Sequence, residues 1–141
     1  MMTNGLKYIK FFQELNEKTP LLEYKLFFNE NSYFEDPFHK VVGVDKIYPI
    51  LKGMYANFYN PRFEINECIS QDHITYIRWK FLYQLNKKAE VDTFVGISRV
   101  LFSENGKVLE HVDFWDTGLN VYEKIPLIGS IIRYIKRKIH G

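Results

Sequence analysis

The sequence predicts an α+β fold, one domain with its helices first and an antiparallel sheet after them. Three observations carry this. Apolar residues recur at helical spacing as far as Phe58. From Arg62 onward they give way to runs rich in β-branched and aromatic residues. Those runs are separated by short polar connections, Gln71-Asp72-His73 and Asn86-Lys87-Lys88, and strands joined so tightly pair antiparallel.

Leu6, Tyr8, Ile9, Phe11, Phe12 and Leu15 form an apolar stripe between Lys7, Lys10, Gln13, Glu14 and Glu17, which predicts a first amphipathic helix. Thr19-Pro20 restarts the chain: threonine can cap and proline suits a first helical position, so Leu21 to Phe28 reads as a short second helix. Asn29 to Ser32 is turn-prone, and Tyr33-Phe34-Glu35-Asp36-Pro37 reads as an extended piece that stops at the proline. Gly43 precedes a third helix, Val44 to Phe58, striped by Ile47, Ile50, Leu51, Met54 and Tyr55, with Pro49 expected to bend it or shift its start. Four strands follow: Arg62 to Ser70, Ile74 to Asn86, Val91 to Phe102 and Lys107 to Trp115. The last begins after Ser103-Glu104-Asn105-Gly106, where Asn-Gly signals a tight hairpin.

With 141 residues, 46% of them hydrophobic, the chain has material for one core and not for two. Aromatic residues make up 17%, which suits either a tightly packed core or a cavity with large flat walls. The single cysteine, Cys68, excludes an internal disulfide and points to a reducing, cytoplasmic setting. Met1 to Phe12 has no continuous apolar core ending in small residues, so no secretory signal is expected. The longest apolar run, Ile125 to Ile132, is interrupted and far shorter than the roughly 20 residues that span a bilayer. From Glu123 onward five basic residues face one acidic, giving +4 and leaving −2 for the preceding chain out of a total of +2. Positive charge therefore belongs to the tail, and the body carries no nucleic-acid signature.

The last strand holds Glu110-His111-Val112-Asp113-Phe114-Trp115-Asp116. A period of two puts Leu109, His111, Asp113 and Trp115 on one face and Val108, Val112 and Phe114 on the other. A carboxylate between a histidine and a tryptophan on such a face must be paired, desolvated or functional, which makes that face a candidate pocket wall.

The element order resembles the nuclear transport factor 2-like superfamily, a cone-shaped α+β fold that includes SnoaL-like proteins, ketosteroid isomerase and limonene epoxide hydrolase. The resemblance rests on Phe34-Glu35-Asp36-Pro37 followed by Gly43 and a helix, on Tyr76-Ile77-Arg78-Trp79, and on His111-Val112-Asp113-Phe114-Trp115-Asp116. It implies a single SnoaL-like domain over residues 1–141, with 124–141 as a basic C-terminal helix. Asp36 matches the general base of ketosteroid isomerase, whose paired tyrosine and protonated aspartate fall here on or near Phe12 and on Ser98. Arg78 and Asp113 match the arginine and one aspartate of limonene epoxide hydrolase, while the other aspartate falls at Lys80, which cannot accept a proton while charged. A homodimer through the sheet is implied by the same resemblance.

The candidate catalytic residues are thus Asp36, Asp113 and Arg78, with Phe12, Tyr33, Phe38, Tyr55, Ser98, His111 and Trp115 around a ligand. Asp36 reads either as a base at the mouth of a cone or as an aspartate that ends a strand and caps the next turn. If the face of Arg78 and Lys80 meets that of Asp113, Arg78 and Asp113 form either a ligand-orienting pair or a structural ion pair. His111 and His39 read as hydrogen-bonded core or rim residues or as acid–base groups. No metal spacing and no cofactor motif is present. The expected function is binding of a small hydrophobic molecule, with isomerase- or cyclase-type proton transfer by an aspartate. The alternative is a non-enzymatic carrier, sensor or dimeric interaction module.

The ending places Leu127, Ile128, Ile131, Ile132, Ile135 and Ile139 on one stripe, with Arg133, Lys136, Arg137 and Lys138 beside it. Such a helix can dock on its own sheet, on a second subunit or on an anionic membrane surface. Tyr122 to Gly129 with this basic ending is similar to a subgroup of bacterial members of the superfamily.

Overall fold

The computed structural model describes residues 2–121 and 126–140. The order is α1 (Asn4–Glu14), α2 (Leu21–Tyr24), β1 (Tyr33–Asp36), β2 (His39–Val42), α3 (Val44–Asn57), β3 (Tyr59–Gln71), β4 (Ile74–Gln84), β5 (Asp92–Phe102), β6 (Val108–Trp115), α4 (Thr117–Asn120) and α5 (Pro126–His140). The six strands form one sheet in the order β2-β1-β6-β5-β4-β3. This is the α+β class expected, with one addition. The hairpin β1–β2 sits between the helices, and β1 joins the sheet by parallel pairing with β6.

The helices begin where side-chain and backbone groups satisfy their first donors. Thr3 accepts from the Leu6 amide and starts α1 two residues before Leu6. Thr19 does not cap α2: its hydroxyl accepts from the Asn16 amide, and Pro20 takes the N-cap place of a helix only four residues long. Gly43 opens α3 at φ 99°, where an added Cβ would come 3.2 Å from the Glu30 carbonyl oxygen. The helix runs through Pro49 instead of starting beyond it.

Strand β2 was not foreseen, because four residues containing His39 and Lys40 carry no apolar alternation. Asp36 supplies the local reason for the turn: its carboxylate accepts from the Phe38 amide at 2.8 Å and closes the corner at Pro37.

Strands β4 and β5 alternate sharply. Thr75, Ile77, Trp79 and Phe81 are buried on the concave face with Gly96, Ser98, Val100 and Phe102, while Tyr76, Arg78, Val95 and Ile97 are exposed on the convex one. Register shifts in β3 and at the start of β6 bend the sheet over α1 and α3. The second shift corrects the face assignment of β6. Leu101 pairs with Glu110 but Phe102 with Val108, so Leu109 is a bulge residue, exposed, and Val108 is fully buried. The turn before it explains the shift: only Gly106 adopts positive φ, at 83°, the geometry of a turn that ends in a glycine bulge.

Tyr8, Phe28, Phe34, Phe81, Ile47, Val100 and Val108 anchor the core between the helices and the concave face. Among the described residues, no helix is long and apolar enough to cross a membrane. Tyr122–Ile125 of the tail motif lie outside the described residues, as do the side chains of Leu127 and Ile128.

Candidate functional site

A cavity of about 610 Å³ opens between the concave face of the sheet and helices α1 and α3. Its walls are mostly rings: Phe12, Phe34, Phe58, Phe63, Trp79, Phe81, Phe94 and Trp115, with Phe38 at half exposure. Trp115 stacks on Phe94 with centroids 4.5 Å apart and meets Phe38 edge-on at 5.6 Å. Gly96 makes room for the Trp79 ring, which a Cβ there would meet at 2.4 Å. This size and lining suit a small apolar molecule.

Four of the polar lining residues, Tyr8, His111, Asp113 and Ser98, are connected to one another. Asp113, Ser98 and His111 come together because β6 pairs Asp113 with Ser98 on β5, and β1 pairs Phe34 with His111. The His111 ring lies against Phe34, centroids 4.9 Å apart, and its Nε2 is 2.6 Å from Asp113 Oδ1. Its Nδ1 is 2.7 Å from the Tyr8 hydroxyl. Burial, and after it the charge of Asp113, push the Tyr8 phenol well above its ordinary pKa, so Tyr8 keeps its proton and donates to Nδ1. With the Tyr8 hydroxyl donating to Nδ1, the proton on His111 Nε2 donates to Asp113.

A second arm reaches the same oxygen. Trp79 Nε1 donates to Ser98 Oγ at 2.8 Å, and the Ser98 hydroxyl donates to Asp113 Oδ1 at 2.5 Å. Two chains of donors thus converge on Oδ1, each ending in a charge-assisted bond. Asp113 Oδ2 takes no hydrogen bond from any described residue, on a side chain that lines the cavity. Among the described residues, no lysine or arginine lines the cavity.

Asp36 also lines the cavity but is held differently. Its oxygens lie 2.9 and 3.0 Å from His39 Nδ1, and one of them accepts from the Phe38 amide, so the side chain closes the β1–β2 corner. This is the turn-capping role of such an aspartate, at the rim of the cavity.

Three expected site residues are elsewhere. Arg78 is on the convex face, 3.7 Å from Glu67 Oε1, with Lys80 on the same side. The concave face of β4 belongs to Ile77, Trp79 and Phe81, so the faces of Arg78 and Asp113 do not meet. Tyr33 points away from Phe34 and Asp36 and donates to Glu35 at 2.5 Å. Tyr55 is buried in the core beyond the cavity lining, and among the described residues neither its hydroxyl nor that of Tyr24 has a hydrogen-bond partner. Burial pushes both phenols up, with Tyr48 adding to the shift at Tyr24 and Tyr24 adding to that at Tyr55.

Phe12, Phe38, Ser98, His111 and Trp115 do line the cavity with Asp36 and Asp113. Tyr8 and Trp79 were missed as polar partners. Tyr8 lies one helical turn before Phe12, on the same face of α1.

A family profile described as a SnoaL-like domain matches residues 9–111, ending two residues before Asp113. No curated protein matches the chain. Among solved structures, a candidate SnoaL-like polyketide cyclase from Jannaschia sp. CCS1 is 9% identical with a TM-score of 0.69, over 80% of this chain and 85% of that one. A nuclear transport factor 2-like protein of unknown function from Burkholderia pseudomallei K96243 is 13% identical with a TM-score of 0.69, over 84% and 95%. TerC, co-crystallised with polyporic acid, is 12% identical with a TM-score of 0.65, over 82% and 93%. At these identities the likeness is one of fold. The family match covers most of the chain, and with the curved sheet and its helices it makes this protein a member of the SnoaL-like domain family, with the nuclear transport factor 2-like fold.

Proposed function

We propose that this protein binds a small hydrophobic molecule carrying a carbonyl group and moves a proton on it, as an isomerase or cyclase does, with Asp113 as the base. The observation that carries this is the convergence of both donor arms on Asp113 Oδ1 inside an apolar cavity, with Oδ2 left for a ligand. In such a site the carboxylate takes a proton from the carbon beside the carbonyl: the C–H bond breaks, an O–H bond forms at Asp113, and the enolate oxygen takes the charge. Return of the proton to another carbon completes an isomerisation; attack of the enolate carbon on a second carbonyl, whose oxygen takes the charge and then the proton back from Asp113, completes a cyclisation. Ser98 and His111 fix the carboxylate in place, which keeps the distance to the reacting carbon short. The fold neighbours named for polyketide cyclisation, and TerC with its polyporic acid, support this substrate class.

The test needs no knowledge of the natural substrate. 2-Tetralone, a flat apolar ketone, exchanges its α-protons for deuterium in heavy water, and proton NMR follows the loss of signal. Catalysed exchange above the rate in buffer is expected. Exchange no faster than in buffer would overturn the proton-transfer reading in favour of simple carriage of a ligand.

We propose, too, a homodimer in a reducing compartment, joined through the convex face, where Val95, Ile97 and Phe114 are 39%, 43% and 58% exposed on neighbouring strands. Phe114→Glu places like charges across that two-fold contact. Sedimentation velocity should show a dimer for the parent and a monomer for the variant; a parent that sediments as a monomer would refute the pairing.

A further inference from the structure

Helix α5 carries Arg133, Lys136, Arg137 and Lys138 and no acidic residue. Its apolar side is open. Ile131, Ile135 and Ile139 follow one another at four-residue spacing, 54%, 49% and 77% exposed, with Tyr134 beside them at 54%. Gly129 is buried and Ile132 half-buried, in contrast to the exposed stripe. Lys138 Nζ lies 5.5 Å from the Tyr134 ring centre, a cation and an aromatic side by side at the edge of the apolar stripe.

Charge decides what can cover this face. A second copy of the helix would set like charge against like, since α5 holds four basic residues and no carboxylate. A nucleic acid would satisfy the cations and leave the isoleucines in water. An anionic lipid surface takes both, the apolar stripe among the acyl chains and the cations at the headgroups. The position of the helix in the chain adds a consequence. Asn120 and Val121 line the cavity, and α5 begins at Pro126, five positions on from Val121 in the chain.

We propose that α5 lays this protein on an anionic phospholipid surface and holds the cavity beside the bilayer, from which it takes its hydrophobic ligand. The attachment stands on the helix alone; the source of the ligand rests on the cavity reading given above.

Pelleting of the full chain with vesicles tests the attachment. Mixed phosphatidylcholine–phosphatidylglycerol vesicles should bind it at low salt far better than phosphatidylcholine alone. Lys136→Glu, Arg137→Glu and Lys138→Glu together should weaken that binding by about 100-fold or more, roughly fivefold for each cation lost. Ile131→Asp with Ile135→Asp should also weaken it at least about tenfold, while 2-tetralone exchange and the thermal midpoint stay at the parent values. Equal binding to both vesicle types would overturn the proposal. So would full binding by the Ile131→Asp, Ile135→Asp variant, which would mean adsorption by charge alone, or loss of a dimer in that variant, which would mean the stripe pairs two copies. Vesicle binding without 2-tetralone exchange would refute the proton-transfer reading and leave the attachment intact.

Discussion

Asp113→Asn is expected to lower the rate of 2-tetralone exchange by about 10²- to 10⁴-fold, the usual contribution of a positioned general base. The amide keeps the shape of the carboxylate and an oxygen to accept from Ser98 and His111, so folding should be retained. What it loses is the capacity to take a proton at the oxygen that no described residue engages. Proton NMR of the exchange, with circular dichroism as the control for folding, checks both halves. Because the whole effect is placed on the chemical step, binding of Nile red in the cavity should change little. A rate within a factor of a few of the parent would take Asp113 out of the reaction.

Phe34→Ala should cost about 3–5 kcal/mol, a large share of the roughly 5–15 kcal/mol available to a domain. Phe34 is 1% exposed, faces His111 in the parallel register of β1 and β6, and lies against the His111 ring. Truncation leaves a void under that ring, where helix α1 and strand β6 meet. At this chain length the loss corresponds to a drop of roughly 10 °C or more in the thermal midpoint. Thermal unfolding followed by circular dichroism would show it. A loss below about 1 kcal/mol would mean that His111 is held by Tyr8 and Asp113 alone.

Most of the architecture was legible because it rests on periodicity. The stripe through Tyr8, Ile9, Phe11 and Phe12 gave α1, and the alternation in β4 and β5 separated the concave from the convex residues. What escaped was local or required two strands at once. The bulge at Leu109 exchanges the faces of Val108 and Leu109, and a strict period of two cannot register an extra residue. Strand β2 is short and polar, and it depends on the turn that Asp36 closes. Arg78 was assigned to the cavity by the position of an arginine in another enzyme, against its own strand pattern, where Ile77, Trp79 and Phe81 had the stronger claim to the interior. Tyr33 fails in the same way, being one residue out of phase with Phe34 and Asp36.

The candidate site was half visible. His111, Asp113 and Trp115 share a face by sequence alone, because the bulge precedes all three. Their partners were hidden, since Tyr8 lies on a helix and Trp79 on a strand far away in the chain, and only the folded sheet brings them near Ser98 and Asp113. Tyr8 carried one faint signal, a hydroxyl in the middle of an otherwise apolar helix face, which a buried position obliges to find a partner.

Asp113, held from two sides at one oxygen, is the proton acceptor in this account, and Asp36 is a corner residue at the rim. Exchange of 2-tetralone by the parent, Asp36→Asn and Asp113→Asn, measured side by side, separates the two carboxylates. Asp36→Asn should stay within about tenfold of the parent while Asp113→Asn falls by about 10²-fold or more. The reverse order, with Asp36→Asn inactive and Asp113→Asn near the parent, would contradict the assignment of the base.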